Sequence, residues 1–274
     1  MLSALPLAFW VHQPHPFLIQ FSENFGIRYY GLAYLTGFLA AGWLLRAYHR
    51  AGRSPLDING IFDLMTALIA GVIIGGRLGY FLLYHPEELF SPPWAFFLVW
   101  KGGMASHGGF VGVVIALWWF ARKHALSLRQ VGDLVVTTVP VGLFLGRLAN
   151  FLNGELWGKI ATVRWAVIFE NTGGGNFPRH PSQLYEAGLE GVLLFAFIQW
   201  RFWKSDCARV QPGRLSGEFL LAYALARALG EIFREPDAGL ILGLSRGTFY
   251  SIFLVVAGAG LMLFAARRPS QRKA

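Results

Sequence analysis

The sequence is poor in cysteine and in charged residues. Cys207 is its single cysteine, and Asp, Glu, Lys and Arg together make up 14% of the 274 residues. One cysteine cannot form a disulfide within the chain, and a zinc site built from several thiolates is excluded. Soluble domains carry about 25% charged residues. A water-soluble globular enzyme, a disordered chain and a secreted disulfide scaffold are therefore all disfavoured.

Clustered acidic residues of the kind that hold two divalent ions are also missing from the sequence. Paired metal ions in phosphate chemistry are usually held by such carboxylates. We therefore expect no metal and no other cofactor.

Apolar residues, by contrast, are abundant. They account for 55% of the chain, and the mean hydropathy is +0.46. A membrane-spanning helix needs about 20 apolar residues, and about seven runs of this kind can be marked. The runs are 27–47, 59–83, 107–121, 131–152, 182–203, 215–233 and 247–266. This pattern predicts an all-α, polytopic integral membrane protein with one membrane domain over residues 1–274.

The balance of charge is basic, with a formal net charge of +9 at pH 7. Such a balance can indicate nucleic acid, but here Lys and Arg form short clusters between the apolar runs. We therefore expect contact with membrane lipids and not with nucleic acid. Most of these residues lie in the first, third and fifth gaps and in the tail. The positive-inside rule then places the N-terminus outside and the C-terminus in the cytoplasm. The longer gaps, 84–106 and 153–181, face outward, which suggests that function lies there.

Small residues recur at helical spacing in several of the predicted spans. They are Gly71, Gly75 and Gly79, then Gly108 and Gly112, then Gly142 and Gly146. Such spacing lets helix backbones approach closely, and packing alone is enough to explain these glycines.

Three arginines lie inside the predicted spans, namely Arg77, Arg147 and Arg227. A charged side chain near the bilayer centre costs roughly 2.5–3.5 kcal/mol on insertion scales, so each arginine needs compensation. The predicted orientation places all three in the outer part of the membrane. Five further polar side chains reach the same depth, namely Tyr30, His107, Asn150, Glu155 and Glu231. This convergence predicts a functional site in the outer leaflet.

Helical spacing groups several of these side chains on common faces. Arg147 and Asn150 are three residues apart, and Tyr223, Arg227 and Glu231 follow one another at intervals of four. A planar guanidinium can donate two parallel N–H hydrogen bonds, as a fork, to the oxygens of one phosphate group. Arginines at this depth therefore favour a phosphate ester, and a phospholipid is the phosphate compound most abundant there.

Arg234 completes the set of candidates, and Arg77 and His107 can be given more specific roles. Arg234 continues near the stripe that holds Arg227, and Arg77 supplies a further cation for binding. His107 stands at the end of a span before two glycines that leave space for a substrate, so it is a reasonable general base. The residues alone thus indicate an enzyme or a transporter with an outward-facing, metal-free site for an anionic lipid.

Several candidates also have a simpler structural explanation. Arg227 and Glu231 can form an ion pair within one helix, and Arg77 can extend to the outer headgroups. Tyr30 can belong to the aromatic belt of the membrane interface. His107 can be a structural hydrogen-bonding group. The gathering of all of them at one depth favours the functional interpretation.

Several longer stretches form an ordered series of motifs. The most distinctive covers 146–158 and reads GRLANFLNGELWG. Shorter ones lie at 29–32, 75–80, 102–109, 179–186, 227–231 and 233–237. Together they resemble the bacterial prolipoprotein diacylglyceryl transferase family over roughly residues 12–266. Several long motifs in one order are far more specific than a lone short pattern.

The resemblance implies an inner-membrane enzyme with seven spans whose site is directed toward the periplasm. Such an enzyme moves the diacylglyceryl group of phosphatidylglycerol onto the lipobox cysteine of a prolipoprotein signal peptide and releases glycerol phosphate. This is the first step of lipoprotein maturation. Matching positions carry the family's functional residues onto Tyr30, His107, Arg147, Asn150, Glu155, Gly158, Arg227 and Glu231.

The sequence departs from the family pattern at a few positions. Ala149 stands where glycine is usual, Glu235 replaces the more usual glutamine, and 245–248 differs from the common form. The outward loop 159–179 is short compared with some members. None of these positions is a carried-over residue. The competing classes are a secondary transporter, which usually shows internal repeats and a midplane site, and an intramembrane protease or other phospholipid-headgroup enzyme.

Overall fold

The computed structural model describes residues 9–14, 16–22, 25–88, 93–98 and 103–266, and within these ranges the chain is mainly helical. The α-helices are α1 (Tyr29–Arg50), α2 (Ile58–Tyr84), α3 (Ser106–Lys123), α4 (Leu128–Val136), α5 (Val139–Leu152), α6 (Ser182–Glu186), α7 (Leu194–Lys204), α8 (Cys207–Val210), α9 (Arg214–Glu231) and α10 (Arg246–Ala266). The strands are β1 (Trp10–Val11), β2 (Phe17–Ser22), β3 (Phe25–Arg28), β4 (Val167–Ile168) and β5 (Pro178–Arg179).

Each apolar run marked in the sequence coincides with a helix or with a succession of helices. The run 131–152 is divided between α4 and α5, and the run 182–203 begins with α6 and ends in α7. Among the described residues, α2 and α10 are each long and apolar enough to cross a membrane, and α4 with α5 would add a third, broken span. Apolar helices of membrane-spanning length are thus confirmed, and the number seven stays a prediction.

The chain divides into two compact units, one formed by 42–135 and the other by 1–41 with 136–274. In the first of these, α2 and α3 pack through glycines. A Cβ atom added at Gly71 would lie 2.6 Å from the Gly112 carbonyl oxygen, and one added at Gly79 would lie 2.6 Å from the Gly108 Cα. The close approach expected from the spacing is confirmed here. At Gly142 and Gly146, an added Cβ would meet no described atom within 4 Å.

The other unit contains two small sheets. Strand β1 pairs in parallel with β4, which pairs antiparallel with β5, and β2 pairs antiparallel with β3. The gap 153–181 therefore carries strands. His12 is buried beside this sheet, against the rings of Phe151 and Phe169, and its burial lowers the pKa of the imidazole.

A π-helical segment, Ala187–Leu193, follows α6 directly and leads into α7. It packs closely on α5, because a Cβ added at Gly191 would lie 2.6 Å from the Phe144 Cβ. Helices α9 and α10 are in similar contact, since a Cβ at Gly217 would lie 2.7 Å from the Gly258 carbonyl oxygen. π-Helical turns are rare and are often found at functional sites. This one brings the end of α6 and its own acidic side chain toward α5 and α9.

Candidate active site

Three arginines and three glutamates form one ionic cluster in the unit that contains α5 and α9. Arg147 comes from α5, Arg227 and Glu231 from α9, Arg234 from the chain just after α9, Glu186 from the end of α6 and Glu190 from the π-helical segment. Residues far apart in sequence are thus brought together by the packing of these elements.

Arg147 is held by two carboxylates from the fifth apolar run. Its Nε and Nη2 donate to the Oε2 of Glu190, at 3.0 and 2.9 Å. Its Nη1 lies 2.9 Å from the Oε2 of Glu186. The guanidinium plane is therefore fixed from two directions, and charge-assisted contacts of this kind are among the stronger hydrogen bonds.

Arg227 meets the same two carboxylates from the opposite helix. Its Nη1 donates to Glu186 and lies 3.5 Å from the Oε1 of Glu190. Its Nη2 forms an ion pair with Glu231, four residues further along α9. The intrahelical pair weighed in the sequence analysis is present, and it is one part of a larger network.

Arg234 completes the cluster. Its Nη1 donates to the Oε1 of Glu186 at 3.3 Å, and its Nη2 donates to the Oδ2 of Asp237 at 2.9 Å. Its Nε lies 4.0 Å from the Oε1 of Glu231. Glu186 therefore contacts all three arginines and is the centre of the network.

Two glutamates of the cluster are more deeply buried than two of its arginines. The side chains of Glu186 and Glu190 are 0% exposed, whereas those of Arg147 and Arg227 are each 14% exposed. Burying a charge without a partner is costly, and the opposite charges within the cluster offset that cost. An anion that reaches the cluster meets the guanidinium groups first.

Tyr223 lies one helical turn before Arg227. It is close enough to interact electrostatically with the glutamates and arginines at positions 186, 190, 147 and 227. Its ring stacks parallel to that of Phe219, with the ring centroids 6.0 Å apart. The stripe of Tyr223, Arg227 and Glu231 predicted from the helical spacing is thus directed toward the ionic cluster.

A second polar group surrounds Tyr30 at the start of α1. Its hydroxyl donates to the Oε1 of Glu155 at 2.6 Å and accepts from the amide of Asn150. Asn153 also donates to the Oε1 of Glu155, at 3.0 Å. Asn150 and Glu155 thus hold Tyr30, while Arg147 is held by Glu186 and Glu190.

The two polar groups share a backbone connection. The main-chain carbonyl of Glu155 accepts from Gln183 Nε2 at 2.7 Å, and that of Leu156 accepts from Ser182 Oγ at 3.0 Å. Both donors belong to α6, which ends at Glu186. Leu156 itself has a positive φ of 59°, a conformation that is uncommon for a residue other than glycine. The turn after α5 is thus held in place by the same helix that supplies Glu186.

Gly158 is required by close backbone contacts rather than by its own chemistry. It forms an isolated bridge with Arg234, and its N–H donates to the carbonyl of His180 at 2.9 Å. An added Cβ would lie 2.5 Å from that same carbonyl oxygen and 2.6 Å from the carbonyl oxygen of Phe233. Burial lowers the pKa of the His180 imidazole beside this bridge.

Arg77 and His107 belong to the other compact unit. Arg77 is 4% exposed and donates to the carbonyls of Phe96 and Gly103, each at 2.9 Å. It thereby ties the segment before α3 to helix α2. His107 lies in the first turn of α3 and is exposed. Arg77 thus binds backbone carbonyls within its own unit, and a role for Arg77 in substrate binding stays a prediction.

One hydrolase-like pattern has a structural explanation. Residues 243–247 read GLSRG and match the Gly-x-Ser-x-Gly pattern of a nucleophile elbow. In the structure, the Oγ of Ser245 accepts from the backbone N–H of Thr248 at 3.2 Å, just before α10. This is the geometry of a helix N-cap. Ser245 therefore stabilises the start of α10.

Glu186 and Glu190 were not among the residues selected from the sequence. A signal was present, because both lie in the apolar run 182–203 at a spacing of four. Two carboxylates on one face of a predicted membrane helix call for cationic partners as strongly as buried arginines do. Among the described residues, no group of three or more His, Cys, Asp or Glu is arranged to hold a metal ion.

Comparison with known proteins shows the family to which this chain belongs. The family model for prolipoprotein diacylglyceryl transferase matches residues 16–264. The phosphatidylglycerol–prolipoprotein diacylglyceryl transferase of Zymomonas mobilis subsp. mobilis is 45% identical over 245 residues, covering 88% of this chain and 85% of that protein. The protein of the same name from Rhodospirillum rubrum is 42% identical over 272 residues, covering 97% of this chain and 96% of that protein.

A mainly helical chain with apolar helices long enough to cross a membrane belongs to the class of membrane proteins. Within that class, this chain belongs to the prolipoprotein diacylglyceryl transferase family.

Proposed function

We propose that this protein transfers the diacylglyceryl group of phosphatidylglycerol to the thiol of a lipobox cysteine in a prolipoprotein signal peptide. Family membership supports this reaction, as do relatives of that name that are 42–45% identical over most of the chain. The observation that carries the proposal is the pair of partly exposed guanidiniums, Arg147 and Arg227, fixed by buried carboxylates. The family assignment does not favour an outward-facing transporter.

The reaction is an alkyl transfer. A bond forms between the cysteine sulfur and a glycerol carbon, and the bond from that carbon to the phosphate oxygen breaks. The phosphate leaves with the electron pair as glycerol phosphate, and the thiol proton must be taken up by a base. A thiol with a pKa of about 8.5 is only a few per cent thiolate at pH 7, so a positioned base increases the rate.

Arg147 and Arg227 bind the phosphate and stabilise the charge that develops on it as the carbon–oxygen bond breaks. Glu231 orients Arg227, with which it is paired. Tyr30 positions the lipid, and its hydroxyl is itself fixed by Asn150 and Glu155. His107 accepts the thiol proton, directly or through water.

The membrane arrangement proposed here has about seven spans, with the N-terminus outside and the C-terminus in the cytoplasm. The distribution of Lys and Arg between the apolar runs supports it. The protein then lies in the bacterial inner membrane, and its site opens toward the outer leaflet and the periplasm. The gaps 84–106 and 153–181 lie on that side, where the signal peptide arrives.

The test is a transfer assay with purified protein in detergent. It uses phosphatidylglycerol labelled in its glycerol backbone, a lipobox peptide, and the same peptide with serine in place of cysteine. Label on the cysteine peptide alone, with release of glycerol phosphate, is the expected result. Transfer to neither peptide, while a related enzyme is active in parallel, would overturn the proposed function.

The role of His107 is tested in the same assay with His107→Gln. Loss of a general base typically lowers the rate by about 10²–10⁴-fold, and we expect a loss in that range. A His107→Gln protein that keeps most of its rate would show that another group takes the thiol proton.

A further inference from the structure

The buried side of the ionic cluster consists of two glutamates that the family motifs do not mark as functional. Glu186 and Glu190 are fully buried, and they stand behind the partly exposed guanidiniums of Arg147 and Arg227. Arg147 receives contacts from both carboxylates, and so does Arg227. The relative position of the two arginines, which lie on different helices, is thus set by a third element.

The hydrogen bonding of these carboxylates is incomplete. The Oε2 of Glu186 and the Oε1 of Glu190 are fully buried, and neither makes a hydrogen bond of good geometry to a described residue. Both oxygens are nevertheless within ion-pair distance of a guanidinium, at 2.9 Å from Arg147 and 3.5 Å from Arg227 respectively. Ion pairing with the guanidinium groups thus offsets the cost of burying these two oxygens.

The charge of the cluster bears on how it binds phosphate. The three guanidinium groups, of Arg147, Arg227 and Arg234, face the three carboxylates of Glu186, Glu190 and Glu231. The formal charges of these six groups cancel, and the exposed Asp237 carboxylate, paired with Arg234, adds one more negative charge. Arginines without these counter-charges would attract any anion strongly, including the product, whose phosphate monoester carries more negative charge than the phosphodiester of the lipid.

We propose that Glu186 and Glu190 are positioning residues that hold Arg147 and Arg227 at a fixed separation and weaken their affinity for the released phosphate monoester. The inference rests on the proposed function, because the phosphate in question is that of the lipid and its product. The glutamates touch no substrate. They act through the two arginines, on the geometry of binding and on product release.

The test uses the full-length protein with Glu190→Gln, which removes the charge and keeps the shape of the side chain. Inhibition of transfer by added glycerol phosphate and by inorganic phosphate is measured, together with kcat and KM. Since the variant removes a negative charge that repels the bound anion, we expect both inhibitors to bind about tenfold more tightly. We expect kcat to fall because product leaves slowly, with KM unchanged or lower. Glu186→Gln should behave in the same way.

The chain offers a matched control in Glu218, which is also on α9. Its carboxylate accepts from Arg201 at 2.7 and 2.8 Å and from Arg214 at 3.0 Å, in a separate ionic cluster. Glu218→Gln therefore removes a carboxylate from an arginine pair without touching the proposed site. It should leave the inhibition constants unchanged. Tighter inhibition in Glu218→Gln as well would overturn the inference.

The aspartate variants separate charge from position and cover the case in which the glutamine variants do not fold. Glu186→Asp and Glu190→Asp keep the negative charge but shorten the side chain by one methylene group, which moves the carboxylate away from the arginines. We expect wild-type inhibition by glycerol phosphate and a reduced kcat. If the aspartate variants retain full kcat, or if Glu190→Gln leaves inhibition unchanged or weaker, the inference is wrong. A wild-type protein without transfer activity would instead contradict the proposed function.

Discussion

At the residue scale, the arginines proposed to bind phosphate are held by side chains that lie far from them in the sequence. Arg147 and Glu190 are 43 residues apart, and Arg227 and Glu186 are 41 residues apart. Each arginine alone would be costly in a membrane. Paired with the buried glutamates, Arg147 and Arg227 keep part of their guanidinium groups exposed. The planar fork of Arg147 is already oriented before a ligand arrives, by Glu190 at Nε and Nη2 and by Glu186 at Nη1.

Arg147→Lys tests whether that fork matters. Lysine keeps the charge but cannot bridge two acceptors with a planar group. We expect transfer activity to fall at least about tenfold, which corresponds to about 1.4 kcal/mol, as measured by initial rates in detergent. Arg201→Lys, in the cluster around Glu218, is the control and should remain active. Near-normal activity of Arg147→Lys would remove the claim of bidentate binding.

Gly158→Ala tests the backbone contact that links the turn after α5 to Arg234. The new methyl would meet two backbone carbonyl oxygens, at 2.5 and 2.6 Å, which cannot move as a flexible side chain can. Overpacking of this kind costs about 1–3 kcal/mol. We expect a lower melting temperature and a loss of transfer activity. Gly260→Ala on α10, where an added Cβ meets nothing within 4 Å, should lower neither. Unaltered melting of Gly158→Ala would contradict the predicted clash.

At the scale of the elements, two structural features position the polar side chains. The π-helical segment 187–193 carries Glu190 toward α5 and α9. In the other unit, the glycine faces of α2 and α3 let the helix backbones touch. Arg77 from α2 then binds the carbonyls of the segment that leads into α3, where His107 stands in the first turn. The position of the proposed base thus depends on how α2 and α3 pack.

Gly79→Val tests that packing. An added Cβ at Gly79 would lie 2.6 Å from the Gly108 Cα, so a larger side chain must separate the two helices. We expect destabilisation of about 1–3 kcal/mol, seen as a lower melting temperature in detergent. Gly31→Val on α1, where an added Cβ meets no described atom within 4 Å, serves as the comparison. Equal melting temperatures for the two variants would show that the glycine contact is unimportant for stability.

At the scale of the whole molecule, the proposed orientation decides on which side of the membrane the site lies. It rests on the unequal distribution of Lys and Arg among the gaps. It also separates the single cysteine from the site. Cys207 is buried, and it accepts a hydrogen bond from the Ser205 hydroxyl at 3.0 Å. In the proposed reaction, the reacting thiol belongs to the substrate, so Cys207→Ser should keep wild-type activity.

Single cysteines introduced into the Cys207→Ser protein test the orientation. Asn171→Cys lies in the gap proposed to face outward, and Arg209→Cys lies in a gap proposed to be cytoplasmic; both positions are exposed. In spheroplasts, a membrane-impermeant thiol reagent should label position 171 at once. It should label position 209 only after the membrane is opened. The reverse pattern would invert the topology and place the site on the cytoplasmic side.

The helices and most of the residues proposed for the site could be predicted from the sequence alone. Apolar runs and the 3.6-residue period are local properties, so the marked spans agree with the helices, and buried arginines stand out because charge is rare there. The tertiary structure alone decided the partners. Glu186 and Glu190 around Arg147 and Arg227, Tyr30 against Glu155, and Gly158 against Arg234 are contacts between segments many residues apart. No periodicity encodes such contacts, because they depend on which helix faces meet when the elements pack.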